Sequence, residues 1–362
     1  MMAAPAWTLV FSAAENFVLI NAVMSLAAFG VAVVLRARAS TSNWRPSSLS
    51  RLHAAAIVAP PLLSAWLVAA SLLPATWLGL DTWVREHRAL HTSHLLNSLT
   101  APLDPVLGYA ALAFVLLAAG VCFWAAVKGY LRVGSIVRRL EIGAEPASVD
   151  RIDLVQSLCG RYGVDAGLVV SSYPFSFVWG SLRSKLIIST GLLNALTVEE
   201  LRALLEHEAA HHARRDNLSR WILTACRYSS LAFPLTGLLY RWWSEQVEML
   251  CDEVAAQRTS APVELAGALV RLKRLTLAGF PRGRTLFQSS FQGERGDSFD
   301  RRVTRVLSLP EGPSESESDI LTRSWVRAVA AVGGLFIVTL GAVFILSPLA
   351  IHRVIEVVMG SL

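Results

Sequence analysis

Apolar positions along this chain follow two regimes. In the first, they predominate over about 7–35, 52–80, 106–127 and 323–346, lengths that suit a bilayer crossing. In the second, over 132–322, they recur at helical or strand spacing between polar residues. There, helices are expected at 150–161, 241–257 and 265–277, and again from Asp300. Short strand-like runs appear at Leu168–Ser171, Phe175–Val178 and Lys185–Ser189, with Pro174 and Gly180 as breaks. Thr197-Val-Glu-Glu200 has the form of a capping box and opens a helix over 201–217. Leu218–Tyr240 is apolar but contains Arg220, Arg227 and Pro234. Two arginines are costly in lipid, so an amphipathic or membrane-surface helix pair is expected there. Prolines 60, 61 and 74 are expected to interrupt the second run.

The predicted fold is a mainly α integral membrane protein with about four transmembrane helices and a domain of helices plus a small β-sheet. Residues 1–131 hold three of the helices, 132–322 form the domain, 323–346 the last helix, and 347–362 a short tail.

Charge placement orients these pieces. Arg36, Arg38, Arg45 and Arg51 follow the first run, and Lys128, Arg132, Arg138 and Arg139 follow the third. The positive-inside rule puts those segments and the domain in the cytoplasm, and the N-terminus, the loop 81–105 and the tail outside. A bacterial-type inner membrane is the expected location. The chain is 54% hydrophobic and 17% charged, with mean hydropathy +0.48 and pI about 9.4. Its basicity is accounted for by residues flanking the spans. No basic face interleaved with aromatics indicates nucleic-acid binding. Cys122, Cys159, Cys226 and Cys251 form no C-x-x-C pair, so neither a cysteine zinc site nor a disulfide framework is indicated. The start, MMAAPAW, lacks the basic region of a cleaved signal peptide. His87, His91 and His94 would share a helical face, as an interfacial turn or a metal site.

The chemistry lies in LRALLEHEAAHHARRDN, residues 201–217. His207 and His211 are four apart, so a helix puts both imidazoles on one face, within reach of one small cation. Glu208 stands beside the first histidine as a candidate base. This is the zinc-peptidase spacing. Such a site needs a further ligand and a carboxylate to orient a histidine. Glu248 and Asp252 sit four apart on the next acidic helix and could supply both. The short strands beside that helix could pair with an extended substrate or form a structural hairpin.

The runs GLLNALTVEELRALLEHEAAHHARRDN and EQVEMLCDE, with YPFSFVWGSLRSKLIIST upstream, resemble the M56 membrane metallopeptidases, relatives of the protease domain of bacterial β-lactam sensor–transducers. The broader gluzincin group, including the HtpX-like M48 peptidases, is similar in its two-histidine helix and later glutamate. The resemblance implies a gluzincin-type protease domain holding one Zn2+ through His207, His211 and Glu248. It further implies Glu208 as general base and Asp252 behind a ligating histidine. His212, Arg215 and Asp216 match the run after the motif with lesser roles, and Arg302 matches a late-helix arginine. The β-lactam sensors carry a penicillin-binding domain after the last span, where this sequence has only 347–362, so sensing through such a domain is not expected.

The expected activity is a membrane-embedded zinc endopeptidase acting on protein or peptide substrates at the cytoplasmic face. A regulatory role would be cleavage of a cytoplasmic repressor or of the chain itself, for which the polar stretch 280–298 is a candidate loop. Membrane-protein quality control in the M48 manner is one alternative. A non-catalytic metal-dependent sensor or scaffold is another, and an intact Glu208 argues against it.

Overall fold

The structure is a computed structural model that describes residues 6–41, 44–72, 109–121, 123, 124, 127, 148–172, 174–179, 185–230, 233–279 and 296–309. The His87, His91 and His94 loop, the basic segment 128–139, most of the polar stretch 280–298, the last span and the tail lie outside the described residues.

The described chain is mostly helical. Helices α1 (Ala6–Thr41) and α2 (Pro46–Leu72) pair with each other. Their segments Phe17–Ala39 and Pro46–Val68 are long and apolar enough to cross a membrane. Pro60 and Pro61 do not interrupt α2 as expected from sequence; both lie inside a continuous helix. The Pro60 carbonyl accepts the Ser64 hydroxyl at 2.7 Å. A shorter apolar helix, α3, covers Tyr109–Val121.

The second half of the chain begins with α4 (Val149–Tyr162), closed by Gly163 in the left-handed conformation. Strands β1 (Asp165–Val169), β2 (Ser176–Trp179) and β3 (Lys185–Ser189) form a sheet in the order β1-β3-β2. β1 runs parallel to β3, and β2 runs antiparallel to it. β1 starts three residues before the run read from sequence, because its pairing with β3 begins at Asp165 opposite Lys185. Leu186 and Ile188 face the helices and join Leu158, Leu192, Leu201, Leu204 and Leu205 in the main core. Phe177 and Ile187 lie on the other face with Val169. A short helix, α5 (Thr190–Ala195), follows β3. At Gly191 an added Cβ would sit 2.4 Å from the Ser172 carbonyl oxygen, so only glycine permits this crossing.

The motif helix α6 (Val198–Ala213) starts with a complete capping box: the Thr197 side chain accepts from the Glu200 amide, and Glu200 accepts from the Thr197 amide. It does not continue to residue 217. Arg215 adopts φ 55°, and a new helix, α7 (Asp216–Ser229), begins at once. After a turn comes the long α8 (Thr236–Thr259), then α9 (Pro262–Gly279) and α10 (Gly296–Leu307). Arg302 and Arg305 of α10 pair with Asp252 and Glu253 of α8.

The hairpin of α7 and the first half of α8 lies along the paired helices α1 and α2. Asn21 of α1 donates to the Ser229 carbonyl at 2.9 Å and accepts the Ser230 hydroxyl at 3.2 Å. Arg36, fifteen residues further along α1, stacks 4.5 Å over Trp242 and lies 3.7 Å from Glu245. At 1.5 Å per residue, the hairpin tip is about 22 Å along α1 from Glu245. Trp221, Ile222 and Leu235 of the hairpin are exposed, as are Val23, Leu26 and Val34 of α1.

Candidate metal centre

The two ends of the motif helix are built from different interactions, and both aim His207 and His211. The N-terminal half is held in the core by Leu201, Leu204 and Leu205. Behind it, buried Glu206 accepts the Tyr162 hydroxyl at 2.6 Å and Arg258 at 3.4 Å. The C-terminal end stops at Arg215. On an unbroken helix a residue five positions on would point away from His211. The left-handed turn at Arg215 instead swings Asp216 back, and the His211 Nδ1 lies 2.8 Å from its Oδ2. The exposed Arg215 side chain does not join the centre; its backbone does the work.

His207 Nε2 and His211 Nε2 are 3.2 Å apart, and each is 3.6 Å from Glu248 Oε2. Zinc bonds of about 2.0–2.2 Å in tetrahedral geometry separate neighbouring ligand atoms by about 3.3–3.6 Å. The three atoms therefore already stand at the separations a tetrahedral zinc needs.

Each of the three side chains is held at its far atom. His207 Nδ1 lies 2.9 Å from Asp252 Oδ1, and fully buried Arg302 grips Asp252 with two bonds of 2.7 and 2.9 Å. His211 Nδ1 is held by Asp216, which Arg214 contacts at 3.3 Å. Glu248 Oε1 accepts Arg220 Nη2 at 2.9 Å. Carboxylates on both Nδ1 atoms leave each Nε2 facing its neighbours. Cys251 Sγ also approaches His211 Nδ1 and Asp216 Oδ2, at 3.4 and 3.7 Å. However, the 2.8 Å between Nδ1 and Oδ2 is a hydrogen-bond length, too short for two ligands of one zinc, so this contact orients His211.

The electrostatics follow the geometry. Burial alone would raise the Glu248 carboxyl, but the facing histidines and Arg302 hold it well below its usual range. Burial would likewise raise Asp252 and Asp216, and Arg302 and Arg214 respectively, with the histidines, bring both below the usual value. Burial would lower the imidazoles. Asp252 and Glu248 outweigh it at His207, and Cys251, Glu248 and Asp216 at His211, so both are raised.

Glu208 projects from α6 toward the sheet, where the Ser176 hydroxyl of β2 donates to its Oε1 at 2.7 Å. A narrow cleft of about 10 Å³, room for about one water, adjoins it. Leu158, Val164, Val178, Leu186 and Leu205 line this cleft, and Cys159 and His212 border it. β2 is an edge strand among the described residues. Its Phe177 pairs with Ile187, so by antiparallel alternation the main-chain groups of Ser176 and Val178 point away from the sheet. Asn217 already donates to the Val178 carbonyl.

The structure thus brings together His207, His211, Glu248, Asp252, Asp216 and Arg302, with Glu208 on the adjoining face and His212 at the cleft. Sequence reasoning did not assign Arg214, Arg220, Ser176 or Cys251. Arg220 had one signal: a cation inside an apolar run requires a partner.

Residues 165–292 match the family model for peptidase family M48. The chain is also 26% identical over 235 residues to a protease HtpX homolog of Acidiphilium cryptum (strain JF-5), a match covering 51% of this chain and 79% of that protein. No solved structure matches the chain. With two helices able to cross a membrane and a metal-ligating cluster, these likenesses support an M48-like, membrane-associated metallopeptidase.

Proposed function

We propose that the chain is a zinc-dependent endopeptidase of the gluzincin type, holding one Zn2+ through His207, His211 and Glu248, with Glu208 as general base. The observation that carries this is the triangle of His207 Nε2, His211 Nε2 and Glu248 Oε2, sized for a tetrahedral ion. Zinc, when bound, would polarise the scissile carbonyl and make water acidic enough to react near neutral pH. Glu208 takes a proton from the attacking water as its oxygen bonds to the carbonyl carbon, and delivers that proton to the departing amine nitrogen. Ser176 holds Glu208 in place for both transfers. A substrate lies extended along the outer edge of β2.

The proposed topology has about four spans, the N-terminus outside and the protease domain at the cytoplasmic face of an inner membrane, as the placement of basic residues supports. The 218–240 hairpin lies in the bilayer beside α1 and α2, because its tip meets Asn21 inside the first candidate span. The arginines that argued against burial in lipid are internally occupied: Arg220 by Glu248, and Arg227 by the faces of Tyr228 and Tyr240.

The resemblance to M56 sequences supports a regulatory role, in which one cytoplasmic protein such as a repressor, or the chain itself, is cut. The M48 match supports a second reading, broad removal of damaged membrane proteins. Glu208→Gln is expected to keep one zinc per chain and lose at least about 10²-fold in cleavage rate. Undiminished cleavage by that variant would refute the role of Glu208. Proteomic comparison of cells carrying wild type and Glu208→Gln separates the readings: one accumulating protein supports regulation, and many unfolded membrane chains support quality control.

A further inference from the structure

The third ligand of this centre is gripped from the membrane side. Glu248 presents Oε2 to both histidines, while its Oε1 accepts Arg220 Nη2 at 2.9 Å. Arg220 belongs to α7, the hairpin helix whose neighbouring residues Trp221 and Ile222 are exposed and apolar. A guanidinium in such a helix is expensive unless it is paired. Here the cost is met by Glu248 together with the Trp243 ring, 5.9 Å from the guanidinium carbon. Arg302 does not duplicate this grip: its two short bonds go to Asp252, and its nitrogen lies 3.7 Å from Glu248 Oε2. The helix carrying Arg220 is fixed at both ends, by the turn at Arg215 and by Asn21 of α1 at Ser229 and Ser230.

We infer that Arg220 is a positioning residue for the metal, holding Oε1 so that Oε2 alone completes the ligand triangle. The inference rests on the zinc reading above. Without the guanidinium, the carboxylate can rotate about its terminal torsion and offer either oxygen or both. The ion then loses a fixed ligand position, and the carboxylate loses its compensating charge.

The test uses the full chain in detergent, expressed with zinc, as wild type, Arg220→Gln, Arg220→Met, Arg220→Lys and His207→Ala. Zn2+ affinity is measured by chelator competition, and the number and distances of the light-atom neighbours by X-ray absorption. Wild type should bind one zinc. The Gln and Met variants should bind 10- to 100-fold more weakly, the usual effect of losing such a support, with a changed neighbour count or distance. Lys, which keeps charge and a donor, should bind zinc more tightly than either neutral variant. Neutral variants with wild-type affinity and an unchanged spectrum overturn the proposal. Collapse of both neutral variants even when zinc-loaded also overturns it, because Arg220 then serves folding and not the metal. Wild type that binds no more zinc than His207→Ala instead defeats the underlying zinc reading, a result distinct from the other two.

Discussion

Single side chains in this protein do more than their spacing announces. Cys159 is one example. It is buried at the border of the cleft next to Glu208, and burial raises its thiol above the ordinary value of 9.0. The thiolate is the reactive form. An ordinary thiol of pKa 9.0 is half ionised at pH 9, so its thiolate can rise less than about twofold by pH 10, whereas a raised thiol rises further. Iodoacetamide labelling of Cys159, followed by peptide mass spectrometry, should therefore accelerate more than about twofold between pH 9 and 10. A smaller rise would show a thiol that burial does not shift. The same scale shows what could be read from residues alone. His207, Glu208 and His211 are legible because helical geometry links positions four apart, and Glu248 with Asp252 repeats the same rule. Arg220 lies 28 residues from Glu248, and Ser176 lies 32 before Glu208. Those contacts exist only once the topology is known, and no local period encodes them.

Among the elements, the strand–helix contact between β2 and α6 is the one on which the proposed catalysis would depend most directly. The Ser176 hydroxyl couples the strand that would receive substrate to the carboxylate that would move the proton. A hydrogen bond to a charged group contributes roughly 1.5–3 kcal/mol. Ser176→Ala should thus lower kcat about tenfold or more, with zinc content unchanged and the melting temperature lowered by only a few degrees. Equal turnover would mean that Glu208 is positioned without the strand. The elements were legible to different degrees. The capping box at Thr197 marked the start of α6 to the residue, since both of its hydrogen bonds are local. Its end was not legible: a helical pattern runs through Arg214 and Arg215, and the break there is set by the tertiary pull of Asp216 toward His211 and Arg214. β1 was displaced for a similar reason, because β3 decides where its pairing begins.

At the scale of the whole molecule, one long helix joins the hairpin packed along α1 and α2 to the candidate centre. α8 carries Trp242 and Glu245, which meet Arg36 near the C-terminal end of the first candidate span, and then Glu248. Glu248 is three residues past Glu245, about 4.5 Å along the axis. In the proposed orientation, the reactive centre is therefore a gauge fixed at the level of the lipid headgroups. Such an enzyme measures where a chain leaves the bilayer before it reads what that chain says. For a membrane-tethered substrate, inserting a rigid helical spacer between its span and its cut should leave the new cut at the original distance from the membrane, in the spacer, and not at the original sequence. Fragment masses from a series of spacers of increasing length would show this. A cut that travels with the sequence would show that the chain is recognised away from the membrane surface.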